Sequence, residues 1–250
     1  MMTRVLIVEH TEAEGPGTLG DFFRDAGVDV RTVQLFKGDP LPDDIHSFDA
    51  LVSMGGPMNA YEEGSYPFLR EETEFLRRGI EANIPTLGIC LGGQLVAKAC
   101  YAPVIKARHK EIGWRSVSLT NAGSRDILFE GIPGTMDVFQ WHEDTFDVPY
   151  GGKLLVTAGA CPNQAFRYRN AYALQFHVEV TRGMLMNWLD KMPECDECVR
   201  TFDATGDTLR AQANKIYANF LWLVDLHQRT LATAGEAHGQ LSTHYKDSRI

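Results

Sequence analysis

An α/β fold, with a doubly wound and mostly parallel central sheet, flanking helices and a small β-rich section, is what this 250-residue sequence predicts. Three observations lead there. Short apolar runs at residues 4–8, 49–54 and 84–89 read as buried strands, because strands covered on both faces lose the polar alternation of a half-exposed sheet. Between them lie apolar positions at helical spacing: Leu19, Phe22, Phe23 and Ala26 in one stretch, Phe68, Leu69, Phe75, Leu76 and Ile80 in another. Glycine and proline then punctuate the elements, as at Gly27, Pro40, Pro42 and Gly55-Gly56-Pro57. Ligands in such sheets gather at the carboxyl ends of the strands, so chemistry is expected there.

Taken in order, residues 4–8 give a first strand, and a turn-rich segment at 12–17 leads into a helix that Gly27 stops. Residues 28–35 alternate as a second strand, and 49–54 form a third. Residues 66–83 form an amphipathic helix, with Glu71, Glu72, Arg77 and Arg78 on its outer face. A strand at 84–89 runs into a helix at 93–100. Residues 104–120 and 136–169 read as β-rich, with turns at Asn121-Ala122-Gly123 and Tyr150-Gly151-Gly152. The segment from Met184 holds two helical patterns, the second at 208–229 with Ile216, Phe220, Leu223 and Leu226 inward. The expected organisation is one domain over 1–250, with a helical extension at about 193–232 and a flexible tail at about 233–250.

Composition narrows the function. At 44% hydrophobic and 10% aromatic residues the chain can build a single core rather than remain disordered. Lys plus Arg number 24 against 33 acidic residues, and the net charge of −9 offers no general attraction to nucleic acid or anionic lipid. The first fifteen residues lack the long apolar region of a signal peptide, and no apolar run is long enough to span a bilayer. Five cysteines at irregular spacing do not make a disulfide framework. These features point to a cytoplasmic protein. Cys195-Asp196-Glu197-Cys198 supplies two metal donors where a zinc site needs four, so no metal is expected.

Two stretches carry chemistry. In residues 84–97, IPTLGICLGGQLVA, a cysteine stands between glycines where a strand turns into a helix. A nucleophile on so sharp a turn needs small neighbours, and the helix N-terminus behind it favours a thiolate. In residues 173–180, ALQFHVEV, strand alternation would turn Leu174, Phe176, Val178 and Val180 to the core. Gln175, His177 and Glu179 would share the opposite face. Thiol, imidazole and carboxylate together form the set used for acyl transfer. The peptide N–H of Leu91, directly after the nucleophile, is placed by the same elbow rule to receive an oxyanion.

GICLGGQ at 88–94 followed by QFHVE at 175–179 resembles the class I, triad-type glutamine amidotransferases. Within them the chain looks like stand-alone proteins related to the amidotransferase domain of GMP synthase. MGGPMNAYEE at 54–63, KEIGW at 110–114, VFQWHEDTFDVP at 138–149 and NQAFRY at 163–168 extend the likeness from about residue 3 to 190. The resemblance implies a flavodoxin-like fold and a catalytic Cys90, His177 and Glu179. It adds Gly56 as the second oxyanion donor and Gln94, His142 and Asp144 as substrate-binding residues. It calls for no cofactor.

The implied reaction is cleavage of the γ-glutamyl amide of glutamine through a thioester, releasing glutamate and ammonia. The chain contains no P-loop and no room for an ATP-dependent synthase domain after the His-x-Glu motif. The partner this reading implies is therefore a synthase or other acceptor protein working in trans. A stand-alone γ-glutamyl peptide or amide hydrolase is the alternative, and a non-catalytic binding protein on the same fold a third.

Overall fold

The computed structural model describes residues 2–246, with side chains through residue 233. Among the described residues, nine strands form one mixed sheet. In chain order the elements are β1 (Arg4–Glu9), α1 (Gly17–Asp25), β2 (Asp29–Gln34), β3 (Ala50–Ser53), α2 (Phe68–Glu81), β4 (Thr86–Ile89) and α3 (Leu91–Ala99). There follow β5 (Val104–Leu119), β6 (Thr135–Phe146), β7 (Lys153–Thr157), β8 (Ala165–Tyr168), β9 (Ala171–Leu174), α4 (Arg182–Trp188) and α5 (Cys195–Lys246).

The strand order is β2-β1-β3-β4-β9-β8-β7-β5-β6. The first five strands in that order are mutually parallel, and the last four continue it antiparallel. The β-rich section expected from sequence is thus not a separate layer. It extends one edge of the main sheet, joined through the β8–β9 pairing.

Both faces of the parallel half are covered. Along β1, Val5 and Ile7 pack with Leu19 and Phe23 of α1 and with Ile216, Tyr217 and Phe220 of α5. Leu6 and Val8 point the other way, into Leu69, Phe75 and Leu76 of α2 and Leu95 of α3. All four β1 residues are essentially inaccessible, which is why the run reads as uniformly apolar.

Three expectations need correction. Glu72, assigned to the outer face of α2, is completely buried. It lies three residues after Leu69 and four before Leu76, on the stripe that faces the sheet. Residues 175–180 are not strand: β9 stops at Leu174 and the chain continues irregularly, with an isolated antiparallel bridge between Phe139 and His177. In α5 the buried stripe is Ala213, Ile216, Tyr217, Phe220 and Val224, whereas Leu226 is exposed. The helical backbone of α5 runs on to Lys246, into the stretch read as a tail; residues 247–250 of that stretch lie outside the described residues. No proline interrupts those positions, so nothing in the local sequence forces a stop.

Candidate active site

Cys90 follows β4 directly and is the N-cap of α3, with φ 53° and ψ −109°. A side chain at positive φ stores roughly 1–3 kcal/mol of backbone strain, which the surrounding structure must hold. Here two backbone bonds hold it. The Cys90 N–H donates to the Leu174 carbonyl at 2.8 Å, and the Gln94 N–H donates to the Cys90 carbonyl at 3.0 Å. The flanking glycines are required by close approach. A Cβ at Gly88 would overlap the Gly92 carbonyl, one at Gly92 the Ser53 carbonyl, and one at Gly93 the Leu174 carbonyl. The elbow therefore lifts the sulfur above the sheet at the N-terminal end of α3.

His177 and Glu179 sit just beyond β9, the strand beside β4. Although they are not on a strand, Gln175, His177 and Glu179 are all buried together. Reciprocal backbone bonds to Phe139 fix His177, with N–H to carbonyl distances of 2.9 and 3.3 Å. Its Nδ1 lies 2.6 Å from Glu179 Oε1. The second Glu179 oxygen accepts the Val178 N–H at 2.9 Å, and the Glu179 carbonyl accepts the Thr18 N–H at 2.9 Å. Trp188 packs edge-on against the imidazole, ring centroids 5.0 Å apart. With Nδ1 engaged by Glu179, Nε2 is the nitrogen available to the neighbouring thiol. Burial works against an imidazolium here, but the charges of Glu179 and Cys90 outweigh it and hold the His177 pKa well above its ordinary value.

The sulfur opens onto a cleft of about 490 Å³ lined by residues from the carboxyl ends of several strands. Gly56 and Leu91 both line it, and neither N–H donates to any protein group among the described residues. Two unpartnered backbone donors beside a thiol can receive developing negative charge. Gln94 lines the cleft too; its Nε2 makes only long contacts of 3.5 Å to the Asp144 carbonyl and to Gln175 Oε1. Asp144 accepts from the Tyr61 hydroxyl through Oδ1 at 3.3 Å, while its buried Oδ2 has no partner among the described residues. Burial raises the Asp144 pKa. His142 turns both nitrogens to the protein: Nδ1 lies 2.9 Å from the Asp144 carbonyl, and Nε2 lies 3.2 Å from Glu111 Oε2 without hydrogen-bond alignment.

Glu111, His142 and Cys161 bring three donor atoms within 4.8 Å of one another, a set that could in principle hold a transition metal. The carboxylate is already engaged, since Gln164 Nε2 donates to Glu111 Oε2 at 3.0 Å. Burial pushes the Cys161 thiol pKa up, away from the thiolate a metal needs. Cys198, of the C-x-x-C pair, is buried against Gly113, and its carbonyl accepts the Trp114 indole N–H at 2.9 Å.

Sequence reading missed four polar residues beside the site: His10, Glu14, Ser53 and Glu72. Glu14 lines the cleft close to Gly55 and His177. Its pKa is raised, first by burial and then by the charge of Glu179, against the lowering influence of His177. His10, Ser53 and Glu72 form a fully buried cluster behind the Gly55-Gly56 turn. One signal was available: a glutamate at the 69, 72, 76, 80 spacing of a buried helical face.

Comparison with known proteins places these features in a family. The model described as "Glutamine amidotransferase class-I" matches residues 19–189. The glutamine amidotransferase-like protein YfeJ of Salmonella typhimurium is 32% identical over 182 residues, covering 71% of this chain and 76% of its own. A glutamine-hydrolyzing GMP synthase component of Thermoplasma acidophilum is 33% identical over 165 residues, covering 63% of this chain and 74% of that one. The crystal structure of a glutamine amidotransferase from Thermotoga maritima superposes with a TM-score of 0.82 at 31% identity, covering 88% of this chain and 98% of the other.

Proposed function

Since this chain belongs to the class I glutamine amidotransferase family, we propose that it hydrolyses the γ-glutamyl amide of glutamine through a Cys90–His177–Glu179 triad. One observation carries the reading: a strained cysteine at a helix N-terminus, beside a buried imidazole tied to a carboxylate, faces two unpartnered backbone N–H groups. The Cys90 thiol gives its proton to His177, and the sulfur attacks the δ-carbonyl carbon of the substrate. The carbonyl oxygen takes up the electron pair and rests on the N–H groups of Gly56 and Leu91. As the tetrahedral intermediate collapses, His177 returns the proton to the departing nitrogen and ammonia leaves a γ-glutamyl thioester. Water, deprotonated by the same imidazole, attacks the thioester and releases glutamate and the free thiol.

Asp144 and Gln94 are the residues proposed to meet the amino-acid end of the substrate. An unpaired buried carboxylate oxygen in the cleft suits an α-ammonium group, and the weakly held Gln94 amide can turn to a substrate carboxylate. His142, with its Nδ1 on the Asp144 carbonyl, is proposed to hold that segment in place.

The Thermoplasma relative is by name one component of a GMP synthase, and a synthase partner that takes up the ammonia is proposed here by that analogy. The same proposal takes residues 1–250 as one domain, with α5 as an extension docked on the sheet. The cleft volume favours a second reading. About 490 Å³ lies in the range that holds drug-sized ligands, larger than a single amino acid, so a γ-glutamyl peptide or amide would fit.

Steady-state hydrolysis of glutamine and of γ-glutamyl dipeptides by the purified chain, alone and with added synthases, separates the two. The amidotransferase reading expects slow glutamine cleavage that a synthase partner accelerates. Fast unaided cleavage of a γ-glutamyl dipeptide, unchanged by any synthase, would favour the hydrolase. Cleavage of neither under any condition would remove both.

A further inference from the structure

The cluster behind the Gly55-Gly56 turn has a geometry that bears on the oxyanion. His10 is inaccessible to solvent and makes two polar contacts. Its Nδ1 lies 3.0 Å from the Gly55 carbonyl oxygen, and its Nε2 lies 2.6 Å from Glu72 Oε2. The other Glu72 oxygen accepts the Ser53 hydroxyl at 2.7 Å. A carbonyl oxygen can only accept, so Nδ1 carries a proton. Nε2 faces Glu72, whose charge more than reverses the lowering that burial alone would bring to the His10 pKa, so the imidazolium form is favoured between the glutamate and the backbone carbonyl.

The Gly55–Gly56 peptide is trans, so its carbonyl and the following N–H point in opposite directions. A donor that holds the Gly55 carbonyl on the buried side aims the Gly56 N–H at the cleft. We propose that His10 is a positioning residue for the reaction, fixing the Gly55–Gly56 peptide so that the Gly56 N–H is presented to the oxyanion. This rests on the assignment of Gly56 as an oxyanion donor and deepens it. Neither glycine has positive φ, and a Cβ at Gly56 would press on His10 and Leu91. The turn is thus a short unsubstituted peptide whose orientation its hydrogen bonds must set. A hydrogen bond from a cation to one end of a peptide also polarises it and makes its N–H a better donor. Ser53 and Glu72 form the base of the device: they hold the imidazolium, and the imidazolium holds the peptide.

Two substitutions separate positioning from mere packing. In His10→Gln the side-chain amide reaches the place of Nε2, keeps a donor for Glu72 and loses the tie to Gly55. In His10→Asn the amide nitrogen falls where Nδ1 was and keeps that tie. Each variant is assayed for cleavage of L-γ-glutamyl-p-nitroanilide and of glutamine, and for alkylation of Cys90 by iodoacetamide. Alkylation is a direct displacement at carbon that develops no oxyanion. The expected result for His10→Gln is a kcat lower by about 10²–10³-fold, the usual cost of one oxyanion donor, with KM and the alkylation rate unchanged. His10→Asn should recover most of that loss.

Three results would overturn the proposal: a kcat unchanged in His10→Gln, an alkylation rate that falls in step with turnover, or no recovery in His10→Asn. If the unsubstituted chain alkylates at Cys90 yet cleaves neither substrate, the functional reading itself has failed, and the role of His10 goes with it.

Discussion

Cys90→Ala is expected to leave a folded protein with turnover reduced on the order of 10⁶-fold, the scale seen when a triad nucleophile is removed. The loss is chemical, since no other group at the elbow can form the thioester. Stability should hold, because alanine tolerates the turn no worse than cysteine and the bonds to Leu174 and Gln94 come from the backbone. The same variant carries an internal check on the electrostatics. Cys90 is one of the charges that raise the His177 pKa, so its removal should move the imidazole titration down, while Glu179 keeps it from falling further. Nitrogen-15 spectra of the histidine side chains across a pH series would read that shift. An unchanged His177 titration would mean the thiol and imidazole do not interact.

Glu72→Ala should have the largest effect on stability, about 3–5 kcal/mol, the cost of leaving a buried charge without its partner. Glu72 and His10 are both fully buried, so solvent screening does not soften the penalty. The loss should depend on pH in a definite direction. The His10 pKa is raised in the folded chain, so the pair contributes fully below the unfolded histidine value of about 6.5 and fades as pH rises through the folded value. The gap between the variant and its parent, measured by urea unfolding, should therefore narrow at alkaline pH. A gap that is small at neutral pH, or that widens with pH, would count against an ionised pair.

The parallel half of the fold was legible because β1, β3 and β4 are buried on both faces and so appear as plain apolar runs ending in glycine or polar turns. Cys90 was legible for a local reason as well: the glycines that let the elbow close lie within three residues of it. His177 and Glu179 were found through a strand alternation that does not exist. The two residues still converge because Glu179 reaches back to His177 Nδ1 and its backbone is pinned to Thr18, contacts that irregular chain allows. The support for the Gly55-Gly56 turn could not be read the same way. His10 follows β1, Ser53 ends β3 and Glu72 lies in the middle of α2, so only the parallel pairing of β1 with β3 and the packing of α2 on them bring the three together. Glutamate on an amphipathic helix ordinarily faces water, so the sequence alone places Glu72 on the surface.

The central claim is that Cys90 becomes acylated by the γ-glutamyl group. Rapid mixing with glutamine, acid quenching and mass analysis of the peptide containing Cys90 tests it most directly. The account predicts a γ-glutamyl adduct on the Cys90 sulfur that forms within one turnover, disappears as substrate is exhausted and is absent from Cys90→Ala. Glutamine consumed at a steady rate with no adduct on Cys90, under conditions that trap thioesters, would contradict it.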